Sequence, residues 1–224
     1  MVRSRLFLIV LVAAALSGCT STISGTATWP GARLEKVLLT QADFPPGVEY
    51  GRIREESGQP DNASGPAPMR SVPQDCSNGL TTVIAAHAER GRGSAAKYNV
   101  IYNGALIVMT VLTSRLWLND LAAEAARCQS YNVYFDRNSP PIPMTMTKLP
   151  SSRPDQLLYQ QTMRLQGVDN ITYMSFENIG QMSVFGMASA TTQVTTSQQS
   201  APKATLPQTF TQIADKQAQR IRDS

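Results

Sequence analysis

The chain has 224 residues, 42% of them hydrophobic and 16% charged, with a formal charge of +4 from 20 basic and 16 acidic side chains. That balance excludes a disordered or fibrous chain and fits one globular domain with loop-rich stretches around its 14 Gly and 14 Pro. A single His and 3 Cys exclude His-rich metal sites, zinc ribbons and frameworks of many disulfides.

Arg3 and Arg5 lead into an unbroken apolar run at residues 6–15, followed by Leu16-Ser17-Gly18-Cys19. A charged start, a short apolar core and small residues make a secretory signal peptide. The run is shorter than the roughly 20 residues of a bilayer-spanning helix. With Cys19 at the cleavage point, the segment resembles the bacterial lipoprotein signal, whose lipobox is a Leu, two small residues and the Cys. The resemblance implies cleavage before Cys19, diacylglycerol on its thiol and an acylated new N-terminus. Such palmitate-type chains anchor firmly, because each buried CH₂ contributes about 0.8 kcal/mol. On this reading residues 1–18 are the signal peptide, residues 19–33 a lipidated tether, and residues 34–224 one extracytoplasmic domain at the cell membrane. Loss of Arg3 and Arg5 leaves 18 basic side chains against 16 acidic ones, close to neutral. The densest basic group, Lys216, Arg220 and Arg222, suits the negative end of a helix dipole. Neither charge nor compartment points to nucleic acid.

The tether, residues 20–33, is small, polar and without a period. Leu34, Val37 and Leu38 fit a short helix, and Phe44-Pro45-Pro46-Gly47 ends it in a turn. Residues 48–54 are expected to form an edge strand. Residues 57–75, with Pro60, Pro66, Pro68 and Pro73, are expected to be an exposed loop. Leu80, Val83, Ile84 and His87 then mark one apolar face of a helix over residues 78–90. Residues 98–102 and 105–112 flank Asn103-Gly104, a hairpin signal because a type I′ turn needs positive φ at both central residues. The second run is nearly all apolar and is expected to lie centrally. Asn119 is the expected cap of a helix whose one face carries Leu118, Leu121, Ala122, Ala125 and Cys128.

Residues 131–135 and 144–149 read as strands around Pro140-Pro141. Residues 157–165, 171–176 and 182–188 read as a meander, with turns at 167–170 and 177–180. A soft Ser/Thr/Gln stretch follows at 191–203. The last helix opens near Pro207 and buries Phe210, Ile213, Ala214, Gln217 and Ile221. Twice, a hairpin is thus followed by a helix. With Cys19 lipidated, Cys76 and Cys128 are left to pair in an oxidising compartment, closing a loop of about 50 residues worth roughly 4 kcal/mol. The expected fold is α+β: an antiparallel sheet packed with helices and pinned by one disulfide.

Chemistry is harder to find. There is no G-x-S-x-G, P-loop, EF-hand loop or H-E-x-x-H, and His87 lies on an apolar helix face. Gly91-Arg92-Gly93-Ser94-Ala95-Ala96 matches a dinucleotide motif in letters only, because it follows a helix and leads into a strand. Asp120 and Glu124 form an i, i+4 pair that a solvated helix face explains, and Asp136, Asp155 and Asp169 sit in turn-like contexts. No cofactor or metal is expected. Met144, Met146, Met163, Met174, Met182 and Met187 gather on the later strands, with Phe176 and Phe185. Met adapts to irregular cavities and varied apolar ligands, so these eight are the candidate ligand surface, with ordinary core packing as the competing account.

The lipobox, the tether, the turn Leu38-Leu39-Thr40…Asp43-Phe44-Pro45-Pro46-Gly47 and the Cys76–Cys128 core resemble mycobacterial and related actinobacterial lipoproteins. They are also loosely similar to the extracellular sensor domain of a mycobacterial receptor serine/threonine kinase. That resemblance implies an α+β domain binding an envelope ligand; the sensor domain carries two disulfides, and this chain can form one. The expectation is a non-enzymatic, ligand-binding or sensor-like lipoprotein recognising an envelope lipid, glycan or protein partner. A structural lipoprotein working by protein contact is the alternative, and an unrecognised hydrolase built around His87 or paired carboxylates is the third reading.

Overall fold

The computed structural model describes residues 31–53, 69–88, 91, 93–102, 104–190 and 206–224. The signal peptide, Cys19, residues 20–30 of the tether and the 191–203 stretch lie outside the described residues. Helix α1 (Ala32–Val37) and a 3-10 turn (Gln41–Asp43) precede β1 (Glu49–Ile53) and β2 (Arg70–Val72). Helix α2 (Gly79–His87) leads to the hairpin of β3 (Ala95–Tyr102) and β4 (Ala105–Leu112), then to α3 (Leu118–Arg127). Strands β5 (Ser130–Tyr134), β6 (Ile142–Leu149), β7 (Gln156–Leu165), β8 (Val168–Ile179) and β9 (Met182–Ala190) follow, and α4 (Gln208–Arg222) closes the chain.

Among the described residues all nine strands join one sheet in the order β1-β3-β4-β9-β8-β7-β6-β5-β2, with every neighbouring pair antiparallel. The molecule is therefore mostly sheet, and α+β describes it only coarsely. Successive side chains alternate between the two faces. On one face Tyr98, Val100, Ile107, Met109, Val111, Met182 and Val184 pack with Leu34 and Val37 of α1 and with Phe210, Ile213 and Ala214 of α4. On the other, Leu112, Met146, Leu157, Tyr159, Met174 and Phe176 pack with Ile84 of α2 and with Leu121 and Ala125 of α3. Each hairpin-then-helix unit thus sends its helix to a different face. β4 lies third in the order, as its apolar run predicts, but Leu106 at its start is exposed on the α2–α3 face.

Four expectations are corrected. Helix α1 starts inside the predicted tether, at Ala32. Arg70–Val72, placed in a loop by its prolines, is an edge strand paired with β5. Asn119 does not cap α3: the helix begins at Leu118 and Asn119 lies within it. Both meander turns are shorter than their polar residues suggest. The first is Gln166-Gly167, with φ of 52° and 82°, and Arg164 pairs with Asp169 across it. The second is Gly180-Gln181, with Ile179 opposite Met182. Asn178, predicted in a turn, stays in β8 because its side chain accepts from Leu116 N–H (2.8 Å) and donates to Leu116 C=O (2.9 Å).

Cys76, ahead of α2, is bonded to Cys128, the C-cap of α3, across a separation of 52 residues. The bridge clamps the two helices where Gly79 packs against Glu124. Opposite Met109 in the centre of the sheet, Gly186 leaves no room for a Cβ, which would stand 2.4 Å from Met109 Sδ and 3.1 Å from Phe210 Cε2. Gly186→Ala should therefore cost about 1–3 kcal/mol through overpacking, read from urea midpoints; a neutral substitution would mean that α4 floats on the sheet. Cys76→Ser with Cys128→Ser should cost about 2–4 kcal/mol in the same assay, and an unchanged midpoint would show that the bridge constrains nothing.

Candidate functional site

Helix α4 roofs one face of the sheet, and its stripe of Phe210, Ile213, Ala214, Gln217, Ala218 and Ile221 is buried, as the sequence spacing predicts. Gln217 is polar yet fully buried. Its amide donates to Val37 C=O (2.8 Å) and accepts from Leu39 N–H (3.2 Å), so both ends are satisfied by the chain leaving α1.

Ion pairs hold the helix on both flanks. Arg220 bonds the carboxylate of Asp43 and Lys216 its carbonyl. Asp43 also accepts from Thr40 N–H (2.7 Å) and Thr40 hydroxyl (3.0 Å). Burial opposes ionisation of Asp43, but the two Thr40 bonds and the charges of Arg220 and Lys216 outweigh it and hold the carboxyl below its ordinary range. On the other flank Glu177, 3% exposed, lies between Arg222 and Arg153, the latter at 2.9 Å. Arg153 reaches on to Asp215 of α4 at 2.5 Å, and Gln156 donates to Glu177 at 3.3 Å. Burial pushes the Glu177 carboxyl up in spite of its two arginines. This network ties the loop from β6 to β7 against the helix.

At the first turn of α4 the packing stops short. A cavity of about 220 Å³ remains between helix and sheet, lined by Leu149, Pro150, Leu158, Tyr173, Met174, Pro207, Phe210 and Thr211. The Thr211 hydroxyl is spent on Gln208 C=O at 2.9 Å. The lining therefore offers a ligand contact area and little hydrogen bonding, which suits an apolar occupant. A cavity of about 150 Å³ with a similar lining holds a benzene-sized molecule.

The sequence-predicted Met surface falls differently. Strand alternation puts Met144, Met146, Met163, Met174, Phe176, Phe185 and Met187 on the α2–α3 face, with Met144 opposite Met163, Met174 opposite Met187 and Phe176 opposite Phe185. Met182 belongs to the other face. Met144, Met146, Met174 and Phe176 are buried, Met163 and Phe185 are half-buried, and Met187 is 49% exposed. Of the eight, Met174 alone borders the cavity, although its side chain packs in the cluster on the opposite face of the sheet. Leu149, Leu158, Tyr173 and Phe210 were legible as apolar strand or helix residues, but no sequence signal marks a gap between them. His87 stacks on Trp117 and lies 3.7 Å from Asp120; its neighbours are an indole and a carboxylate.

No family model and no curated protein matches the chain. An X-ray structure of an uncharacterised Mycobacterium smegmatis protein, the Rv0999 ortholog, is similar in fold, with a TM-score of 0.55 and 12% identity over 87% of this chain and 100% of that one. At that identity the likeness shows the fold alone. The neighbour is described as uncharacterised and its description names no kinase sensor domain, so the sensor-domain resemblance gains no support from it. No helix among the described residues is long and apolar enough to cross a membrane.

Asp43 gives the roof a pH signature. A carboxyl whose folded pKa is lowered stabilises above its unfolded pKa of about 3.8 and loses that contribution as pH falls through the folded value. Asp43→Asn should cost up to about 1 kcal/mol at neutral pH, the usual scale for a partly exposed ion pair. The gap between the two chains should close on acidification, as read from urea midpoints at neutral and acid pH. A gap that stays constant would remove Asp43 from the titration.

Proposed function

We propose that the mature chain is an extracytoplasmic lipoprotein, anchored to the cell membrane through Cys19, that holds an apolar molecule or acyl tail of the cell envelope without transforming it. The observation that carries this reading is the apolar cavity beneath the first turn of α4. The lipobox at residues 16–19 and the Cys76–Cys128 bridge support the compartment, because bridged domains belong to oxidising environments. Flanking ion pairs to Asp43, Glu177 and Asp215 make the roof a rigid one, so the occupant is selected by fit.

A second reading, a structural lipoprotein acting by protein contact, is favoured by one observation. Leu106 and Met187 are exposed near one another on the α2–α3 face of the sheet, since Val108 next to Leu106 pairs with Met187. Paired surface hydrophobics of this kind suit a protein neighbour.

Metabolic labelling with palmitate should mark the wild-type chain and leave Cys19→Ser unmarked; an unlabelled wild type overturns the anchor. For the cavity, dodecanoic acid is the probe. Ligand at one hundred times its Kd adds about 2.7 kcal/mol, a rise of about 5–10 °C in Tm for a domain of this size. Thr211→Phe, which fills the cavity from its half-buried helix position, should remove that rise. No rise in the wild type up to the solubility limit of the acid, or an equal rise in Thr211→Phe, overturns the apolar-ligand reading.

A further inference from the structure

On the sheet face opposite the cavity, the C-terminus of α2 meets the N-terminus of α3. His87 and Trp117 stack there with ring centroids 3.8 Å apart and planes 6° from parallel. His87 Nε2 lies 3.7 Å from Asp120 Oδ2, so the imidazole that backs the indole also meets a half-exposed carboxylate from the same helix turn as Trp117. Trp117 is 55% exposed, an unusual position for so large an aromatic group. The imidazole covers one face of the indole, and over half of the residue stays open to solvent.

The indole is also firmly mounted. Trp117 C=O accepts the Leu121 N–H at 3.0 Å, fixing its backbone to the first turn of α3. Leu116, one residue earlier, is held at both backbone groups by Asn178. The Cys76–Cys128 bridge locks the far end of the same helix pair. The immediate neighbours of Trp117 in sequence, Leu116 and Leu118, turn into the core, and Arg115, Asn119 and Asp120 beyond them are exposed and polar.

A rigid, outward-facing aromatic plane with a carboxylate at its border has a specific chemical complement. A pyranose ring presents a flat patch of C–H groups, which are drawn to a π face, ringed by hydroxyls that donate to a carboxylate. We propose that Trp117, backed by His87 and bordered by Asp120, is a saccharide-binding platform for an envelope glycan. The site is independent of the cavity reading, since the two lie on opposite faces of the sheet.

The test uses the full chain with Trp29→Phe, so that Trp117 is its one tryptophan. Maltohexaose, mannohexaose and chitotetraose are the probes. At least one should shift Trp117 emission to the blue, saturably, and shield it from acrylamide. Calorimetry in the chain that retains Trp29 should show Trp117→Ala weakening binding by at least about tenfold, the scale of a hot-spot aromatic. Trp117→Tyr should restore part of it, and Asp120→Asn should weaken it severalfold. These positions are exposed, so the thermal midpoint without ligand should hold in each variant. Thr211→Phe should leave saccharide binding unchanged. No saturable change with any of the three probes overturns the platform. So does full binding by Trp117→Ala, or loss of binding in Thr211→Phe.

Discussion

The sheet depends on the pairing of β4 with β9. Strands β1, β3 and β4 come from the first half of the folded chain and β5 to β9 from the second, and the eight residue pairs from Ala105–Ala190 to Leu112–Ser183 are where the two sets meet. Without that ladder each half would expose a hydrogen-bonding edge lined with Val, Ile and Met. Its position dictates the rest. Met109 and Gly186 meet at its centre, and the missing Cβ lets Phe210 of α4 settle over the seam. Helix α4 covers this junction on one face, while α3 packs over the later strands on the other.

The polar residues bind these layers to one another. Gln217, Asn178 and Glu177 are buried at positions where an apolar side chain would pack more cheaply. Each instead joins segments far apart in sequence: Gln217 with residues 37 and 39, Asn178 with residue 116, and Glu177 with Arg153 and Arg222. Buried polar groups that find partners in one arrangement only penalise the alternatives, because a shifted helix or strand would strand them in the core. The cavity lies where this network ends: Arg153 and Asp215 pin the loop and the helix beside it, and the first turn of α4 bridges the space.

Much of this was legible in the sequence. The hairpin signal between β3 and β4, the amphipathic stripe of α4 and the Cys76–Cys128 pair are strong local signals, and the paired strands, the stripe and the bridge are all found. The errors share one cause. Asp169, Asn170, Glu177 and Asn178 are turn formers by local preference, but ladder pairing and distant partners hold them in β8. Asn119 is a good cap by type, yet α3 begins one residue before it, with Trp117 in the cap position. The Met residues were read from composition, which cannot tell a lined pocket from a filled core. Period-2 alternation would have placed Met182 apart from the rest of the set had the register of β9 been known. The cavity itself is a shortfall in packing between two elements, a property of their three-dimensional fit that no one-dimensional pattern carries.

The margins of the sheet carry a final consequence. An open sheet has two rims of unsatisfied backbone groups, along which copies of a protein can zip together. Among the described residues the two outer strands are poor templates for such polymerisation. β2 is three residues long, starts with Arg70 and runs at once into Pro73, which has no amide hydrogen to offer. β1 contains Gly51 and Arg52, and the guanidinium of Arg52 bonds both Glu35 and the carbonyl of Lys97, setting a charge across that border. Among the described residues, each margin of the sheet thus ends in a strand ill suited to receive another.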